Sequence, residues 1–193
     1  MNKPEIRRAI RQRRNQLTRR QRQQAARQLL HTLRQAPHFQ YASRIALYLT
    51  NDAEIDTAIL LRDLQRRGRQ IFLPVLHPLK KGHLSFLPYQ RHTTMVKNRF
   101  GISEPSFRHT KATPTRFLGL ICMPLVAFDG TGNRLGMGGG FYDRTLMFMR
   151  KSGHKPALIG LAYELQKWDE LPAEPWDIRL NGIATERTLY RFG

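Results

Sequence analysis

The sequence predicts an α/β protein of three layers, α/β/α, built on a mostly parallel open sheet and preceded by two basic N-terminal helices. Three observations lead there. Strand-like apolar runs alternate with helical patterns through residues 43–162, the pattern of parallel strands joined by crossover helices. The chain's 193 residues are 40% hydrophobic and 9% aromatic, enough to bury the core of one domain, 1–193. Residues 1–36 carry apolar side chains at helical spacing among many cations, so they predict a basic helical segment packed on the α/β body.

Taken in order, residues 3–17 read as a helix with Ile6, Ile10 and Leu17 on one stripe and Lys3, Arg7 and Arg14 on a second beside it. Such a helix can dock by its apolar face and aim cations at a ligand. For Arg8, Arg11, Arg13, Arg19 and Arg20 a solvated basic face is the better reading, and for Lys3 and Arg7 the two readings stand level. Thr18 with Gln21 makes a capping box that opens a helix over 19–36. Ala25, Ala26, Leu29, Leu30 and Leu33 form its buried stripe and Pro37 stops it. A first strand follows at 43–49. A polar turn at 50–57 then leads into a helix capped near Asp56 and ended at Gly68. Glu54 falls at the C-terminal edge of a strand, where open sheets place ligand contacts; a helix-start carboxylate is the plainer alternative. Strands are predicted at 70–76 and 84–87, then a long functional loop over 89–116. A buried strand at 118–123, a helix at 141–151 and strands at 157–162 and 182–186 complete a Rossmann-like order.

The stretch 129–144 holds six of the 14 glycines, with Arg134, Tyr142 and Asp143 set among them. Strand, glycine-rich turn and helix together offer backbone N–H groups to an anion, and an arginine fork suits phosphate. A merely flexible turn has no need of those side chains, so phosphate binding is the better reading. The stretch fits neither the Walker pattern nor a clean dinucleotide fingerprint.

The net charge is +19, which predicts attraction to polyanions. Residues 1–34 hold eleven basic residues against the single acid Glu5, so a basic RNA-binding arm is a competing reading. That segment lacks the interleaved aromatics of single-strand binders. Cys122 is the one cysteine. Inside an apolar strand it reads as a small buried hydrophobe in a reducing compartment, which points to the cytoplasm. No apolar run nears the ~20 residues that cross a bilayer, and no secretory signal is visible. The seven histidines (31, 38, 77, 83, 92, 109 and 154) are scattered and form no metal-ligand spacing, and there is no serine elbow.

Several motifs agree with one family. Met123-Pro124-Leu125-Val126-Ala127-Phe128-Asp129 precedes Gly132-Asn133-Arg134-Leu135-Gly136 and Gly138-Gly139-Gly140-Phe141-Tyr142-Asp143-Arg144. The opening Lys3, Arg7 and Arg14, the Ala53-Glu54-Ile55-Asp56-Thr57 turn, Phe100-Gly101-Ile102 with Glu104-Pro105, and Thr185-Glu186 follow the same order. The chain resembles the 5-formyltetrahydrofolate cyclo-ligase family, also called methenyltetrahydrofolate synthetases.

The resemblance implies ATP-dependent closure of 5-formyltetrahydrofolate to 5,10-methenyltetrahydrofolate, with release of ADP and phosphate. The formyl oxygen is phosphorylated and N10 then attacks the activated carbon. By resemblance, Lys3 and Arg7 hold ATP phosphates. Arg134, Leu135, Gly136, Met137, Gly138, Gly139, Gly140, Phe141 and Tyr142 wrap the nucleotide, with Arg134 and Tyr142 in catalytic roles. Leu49, Glu54, Phe141 and Tyr142 meet the folate. Asp143 and Asn181 hold Mg²⁺, with Asp177 as the alternative second ligand. Two departures accompany it: Phe141-Tyr142 stands where many relatives have Tyr-Tyr, and Asn181 stands where a carboxylate is expected. The expected partners are small molecules, including folates with a polyglutamate tail, and neither a membrane nor a specific nucleic acid. The chemistry suits these residue types, because phosphoryl transfer asks for charge neutralisation and alignment more than for an acid–base group.

Overall fold

The computed structural model describes residues 1–108, 110–151 and 153–192; His109, Ser152 and Gly193 lie outside the described residues. Helix α1 (Lys3–Asn15) starts at Asn2, whose side chain forms a capping box with Glu5. Helix α2 (Arg19–Leu33) starts at the Thr18–Gln21 capping box expected for it. Pro37 does more than stop α2, because it occupies the first turn of a short helix α3 (Pro37–Tyr41), where a missing N–H leaves no gap. Strand β1 (Arg44–Ala46), helix α4 (Ala58–Arg66), strand β2 (Gln70–Leu76) and strand β3 (Leu84–Tyr89) follow. A small hairpin, β4 (Met95–Lys97) with β5 (Ser103–Pro105), comes next. Strand β6 (Leu120–Pro124) leads to a second hairpin, β7 (Ala127–Phe128) with β8 (Arg134–Leu135). Helix α5 (Phe141–Leu146) and strands β9 (Ala157–Leu161), β10 (Gly182–Ala184) and β11 (Leu189–Arg191) close the chain.

The main sheet has the order β11-β10-β9-β6-β1-β2-β3. Its inner five strands are parallel and its two edges, β3 and β11, run antiparallel. Side chains alternate between two cores, as a period of two requires. Ile45, Leu120, Cys122 and Ile159 face Leu29, Leu33, Phe39, Leu60 and Leu64 of α2, α3 and α4. Ala46, Ile121, Met123 and Leu158 face Leu146 of α5 together with Phe86, Phe128, Ile178 and Leu180. This is the expected three-layer α/β/α architecture, with a thin second helical layer.

Helix α1 lies on neither face. Its Ile6 and Ile10 form a third small core with Val126, Ala127, Leu135 and Leu171. Arg14, expected on a ligand-facing cationic stripe, is buried one turn below Ile10, because positions 6, 10 and 14 share the packed face. The cations expected to be solvated are partly engaged as well. Arg11 pairs with Asp52 and Arg13 lies 5.3 Å over the Trp168 ring.

Three other expectations change. The 89–116 stretch contains the β4–β5 hairpin, a β-turn device hidden by its polar composition. The helix expected at 141–151 is only six residues of α-helix, continued as a 3₁₀ turn over Met147–Arg150. A helix that short has little macrodipole, so any anion site at the glycines must come from the loop itself. Finally, β11 and the β7–β8 hairpin were not foreseen, because strands of two or three residues carry too little pattern.

Candidate active site

The chain leaves β1 toward β2 on one side, while β6, on the other side of β1, leads to β9. That reversal is a topological switch point, and crevices for ligands open at the C-terminal ends of the strands there. A cavity of about 840 Å³ lies at this position, lined by Tyr48 and Leu49 beyond β1 and by Pro124 and Leu125 at the end of β6. The volume is in the range of small-molecule sites. The 134–144 loop, Lys3 and Arg7 of α1, the β4–β5 hairpin, Glu54, Trp176 and Asp177 complete the lining.

The loop is built on a rigid base. Asp129 accepts hydrogen bonds from the N–H groups of Thr131 (2.9 Å), Asn133 (3.0 Å) and Leu171 (3.2 Å). Burial works against its charge, but these bonds and those from the Asn133 and Thr131 side chains prevail and hold its pKa below the usual value. Beyond β8 the chain must turn without regular structure. Gly138 has φ +94°, and a Cβ there would meet the Arg7 guanidinium at 3.4 Å. Gly140, the residue before α5, has φ +60°. Both are left-handed conformations that glycine adopts without steric cost. Arg144 braces the loop by donating to the carbonyls of Gly82 and Gly139. Among the described residues, none of the N–H groups of Gly136, Met137, Gly138, Gly139 and Gly140 donates to a protein acceptor. Successive unspent amides on a glycine loop form a concavity for an anion.

The cations stand around this loop. Arg7 donates from Nε to the Gly136 carbonyl at 2.8 Å, and Lys3 reaches the pocket while its Nζ pairs with Glu174 at 3.1 Å. Arg134 pairs through Nη2 with Asp143 Oδ1 at 2.6 Å and donates from Nη1 to the Ile178 carbonyl. Its side chain is only 6% exposed, so its orientation is set by the fold.

The far side of the cavity is acid and aromatic. Glu54 follows Asp52 and Ala53, both at positive φ, and its Oε2 accepts from the Asn51 N–H at 3.1 Å. Burial lifts the Glu54 pKa to about 7 and Asp52 adds to the rise, while the Asn51 hydrogen bond and the Arg14 charge oppose it. The Tyr142 hydroxyl is pushed up by burial and by Glu54, and is lowered by Arg134. It therefore sits within the field of both ends of the site and remains protonated at neutral pH. Phe141 packs edge-on against Phe100 of the β4–β5 turn, with ring centroids 6.0 Å apart.

Thus Lys3, Arg7, Leu49, Glu54, the 134–142 loop and Asp143 all come together. Asn181 does not join them. Its Oδ1 accepts from the Leu158 N–H at 2.8 Å and its backbone pairs with Leu158 and Phe192, so it stitches the β9–β10–β11 edge. Asp177 is the residue that lines the cavity with Asp143. Among the described residues no group of three or more His, Cys, Asp or Glu side chains is placed to hold a metal ion. Residues that sequence reasoning passed over also line the site, namely Tyr48, Asn98, Glu104 and Trp176. Tyr48 adjoins Leu49 at the strand end, and that adjacency was its only signal. Its hydroxyl is buried with no partner among the described residues.

An open α/β sheet with a glycine loop of unspent amides facing a half-buried acid across one switch-point cavity is the architecture of an α/β enzyme with a small-molecule site. The sequence pattern of the 5-formyltetrahydrofolate cyclo-ligase family matches residues 1–186, and the chain belongs to that family. It is 40% identical over 183 residues to the 5-formyltetrahydrofolate cyclo-ligase of Escherichia coli (strain K12), spanning 95% of this chain and 100% of that one. It is 42% identical over 179 residues to the Haemophilus influenzae cyclo-ligase, spanning 93% and 95%. The NMR structure of Aquifex aeolicus 5,10-methenyltetrahydrofolate synthetase superposes with a TM-score of 0.82 at 27% identity, covering 99% of this chain and 93% of that one.

Proposed function

We propose that this chain closes 5-formyltetrahydrofolate to 5,10-methenyltetrahydrofolate at the expense of ATP, releasing ADP and phosphate. One observation carries the reading: five unspent loop amides ringed by Lys3, Arg7 and Arg134 open onto the same cavity as Glu54. The loop amides and the two α1 cations hold the triphosphate. Glu54, when ionised, offers two acceptors to the amino and ring N–H groups of the pterin. Tyr142, between the Glu54 and Arg134 fields, lies where the formyl oxygen meets the γ-phosphoryl group and can donate to it. Arg134 neutralises the charge that develops as that group moves, which is the main demand of phosphoryl transfer. Attack by N10 on the activated carbon then expels phosphate and closes the ring.

Asp143 and Asp177 suit Mg²⁺. Both carboxylates line the cavity, and magnesium binds through one or two carboxylates with the remaining positions on phosphate oxygens and water. Once bound, the ion would screen the β- and γ-phosphate charge. Asp177 replaces Asn181 in this role because only Asp177 faces the cavity. The RNA-arm reading loses ground, since Lys3, Arg7, Arg11, Arg14 and Arg34 all hold partners within the protein. The substrates are therefore small molecules, and buried Cys122, its thiol pushed up to about 12 by burial, is in keeping with the cytoplasm. The test is direct. With ATP, Mg²⁺ and 5-formyltetrahydrofolate the purified chain produces the near-ultraviolet absorbance of the methenyl product; no rise in absorbance would sink the assignment.

A further inference from the structure

We propose that Arg14 is a positioning residue for the reaction: from the buried face of α1 it holds, through Asp52, the left-handed turn that delivers Glu54 to the cavity. The proposal rests on the assignment of Glu54 to the folate.

A charged side chain that is 1% exposed needs a reason to be inside. Arg14 donates from Nη2 to Asp52 Oδ2 at 2.9 Å, and its Nε is buried with no partner among the described residues. Helix packing alone would be better served by an aliphatic residue in line with Ile6 and Ile10. The other Asp52 oxygen accepts from Arg11 at 2.8 Å, so α1 grips this carboxylate from two successive turns.

What the grip holds is unusual. Asp52 and Ala53 have φ +48° and +55°, two neighbouring non-glycine residues in the left-handed region. Such backbone persists only where its surroundings over-determine it, and it concentrates at functional sites. The next residue is Glu54. Its N–H closes the turn on the Asn51 carbonyl at 2.9 Å, and its own carbonyl accepts from the Tyr163 hydroxyl at 3.3 Å. The turn is thus clamped between α1 and Tyr163, with Glu54 at its exit.

The same helix carries Arg7 and Lys3 seven and eleven residues away, roughly 10 and 16 Å along its axis. One rigid element therefore sets the distance between the phosphate-holding cations and the pterin-holding acid. Arg14 also acts on Glu54 through its charge. The groups facing Glu54 are Arg14 from α1, Asp52 on its own turn, Tyr48 from the end of β1, Tyr142 of α5 and Tyr163. Arg14 is the cation among them that favours the ionised carboxylate.

The test compares Arg14→Met, which keeps an unbranched apolar stem and removes the guanidinium, with Asp52→Asn, Arg14→Met/Asp52→Asn and Arg14→Met/Ala53→Gly. Arg14→Met is expected to raise KM for 5-formyltetrahydrofolate about tenfold while KM for ATP changes less than about twofold. It should also move the acidic limb of kcat/KM to higher pH. Asp52→Asn is expected to raise the folate KM similarly, and the double variant to be no worse than the more affected single one. Glycine at 53 accepts positive φ freely, so Arg14→Met/Ala53→Gly should recover most of the folate KM. Equal rises in both KM values, additive losses in the double variant, or a lowered melting temperature with unchanged KM would each reduce Arg14 to a core residue and overturn the proposal. If Arg14→Met does not fold, Asp52→Asn alone decides on the same KM split. Absence of product from the native chain would instead overturn the assigned reaction, and this proposal with it.

Discussion

Two demands meet at the Glu54 carboxylate. In the proposed reaction the pterin calls for its charge, while burial resists that charge and lifts its pKa from 4.5 to about 7. The folded chain therefore holds this proton more tightly than the unfolded chain does. Between about pH 4.5 and 7 stability falls as pH rises, and above 7 the full penalty is present. Glu54→Gln removes that penalty. It is expected to raise stability above pH 7 by up to about 3 kcal/mol, measured by urea unfolding, while folate binding is lost. The buried Tyr48 hydroxyl is a smaller version of the same conflict. Tyr48→Phe deletes an unsatisfied polar group and should stabilise the fold by about 1 kcal/mol in the same measurement. At this scale the sequence was readable where side chains sit in a dense motif, as Arg134, Tyr142 and Asp143 do. It was not readable where function depends on which way a strand end faces. Asn181 and Asp177 are four residues apart in one tail, and only the stitching of β9 to β10 turns one inward and the other onto the edge.

Among the elements, the glycine loop offers the sharpest test of the proposed division between the two substrates. Gly138 sits at φ +94° beside Arg7. Gly138→Ala forces a side chain into a conformation costing ~1–2 kcal/mol and sets a methyl group 3.4 Å from the Arg7 guanidinium. The expected result is a five- to thirtyfold rise in KM for ATP, on the order set by that penalty, with the folate KM nearly unchanged. Steady-state kinetics with each substrate varied in turn will show it. The loop's glycines were legible from composition alone, whereas its hydrogen-bonded base at Asp129 was not. Nor was the loop's depth of helical support, since α5 and the following 3₁₀ turn share one continuous apolar pattern. The β4–β5 hairpin was hidden for the opposite reason: three-residue strands in polar sequence carry no periodic signal, and its place over Phe141 depends on the distant contact with Phe100.

For the molecule as a whole, the parallel order and three layers followed from strand–helix alternation, but the position of α1 could not, because its partners lie more than 110 residues away. The +19 charge gains meaning here too. Much of the N-terminal charge is spent inside the protein, and we propose that the remaining positive excess serves capture of an anionic folate tail. Raising ionic strength from about 0.01 to 0.3 M should therefore increase KM for a polyglutamylated substrate more than for the monoglutamate. Equal salt dependence of the two would assign the charge to some other purpose.

The third small core has a consequence for how the protein comes into being. Ile6 and Ile10 leave the ribosome well before Val126, Leu135 and Leu171, their packing partners, which follow more than 110 residues later. Until then the first helix has no seat, although β1, β2 and α4 already have one another. Closure of so long a loop is slow compared with local folding. The chain can thus pair β1, β2 and β3 before α1 finds its seat, and in refolding from denaturant the return of enzymatic turnover should lag behind the return of secondary structure seen by circular dichroism. Helix α1 waits for partners more than a hundred residues further along the chain.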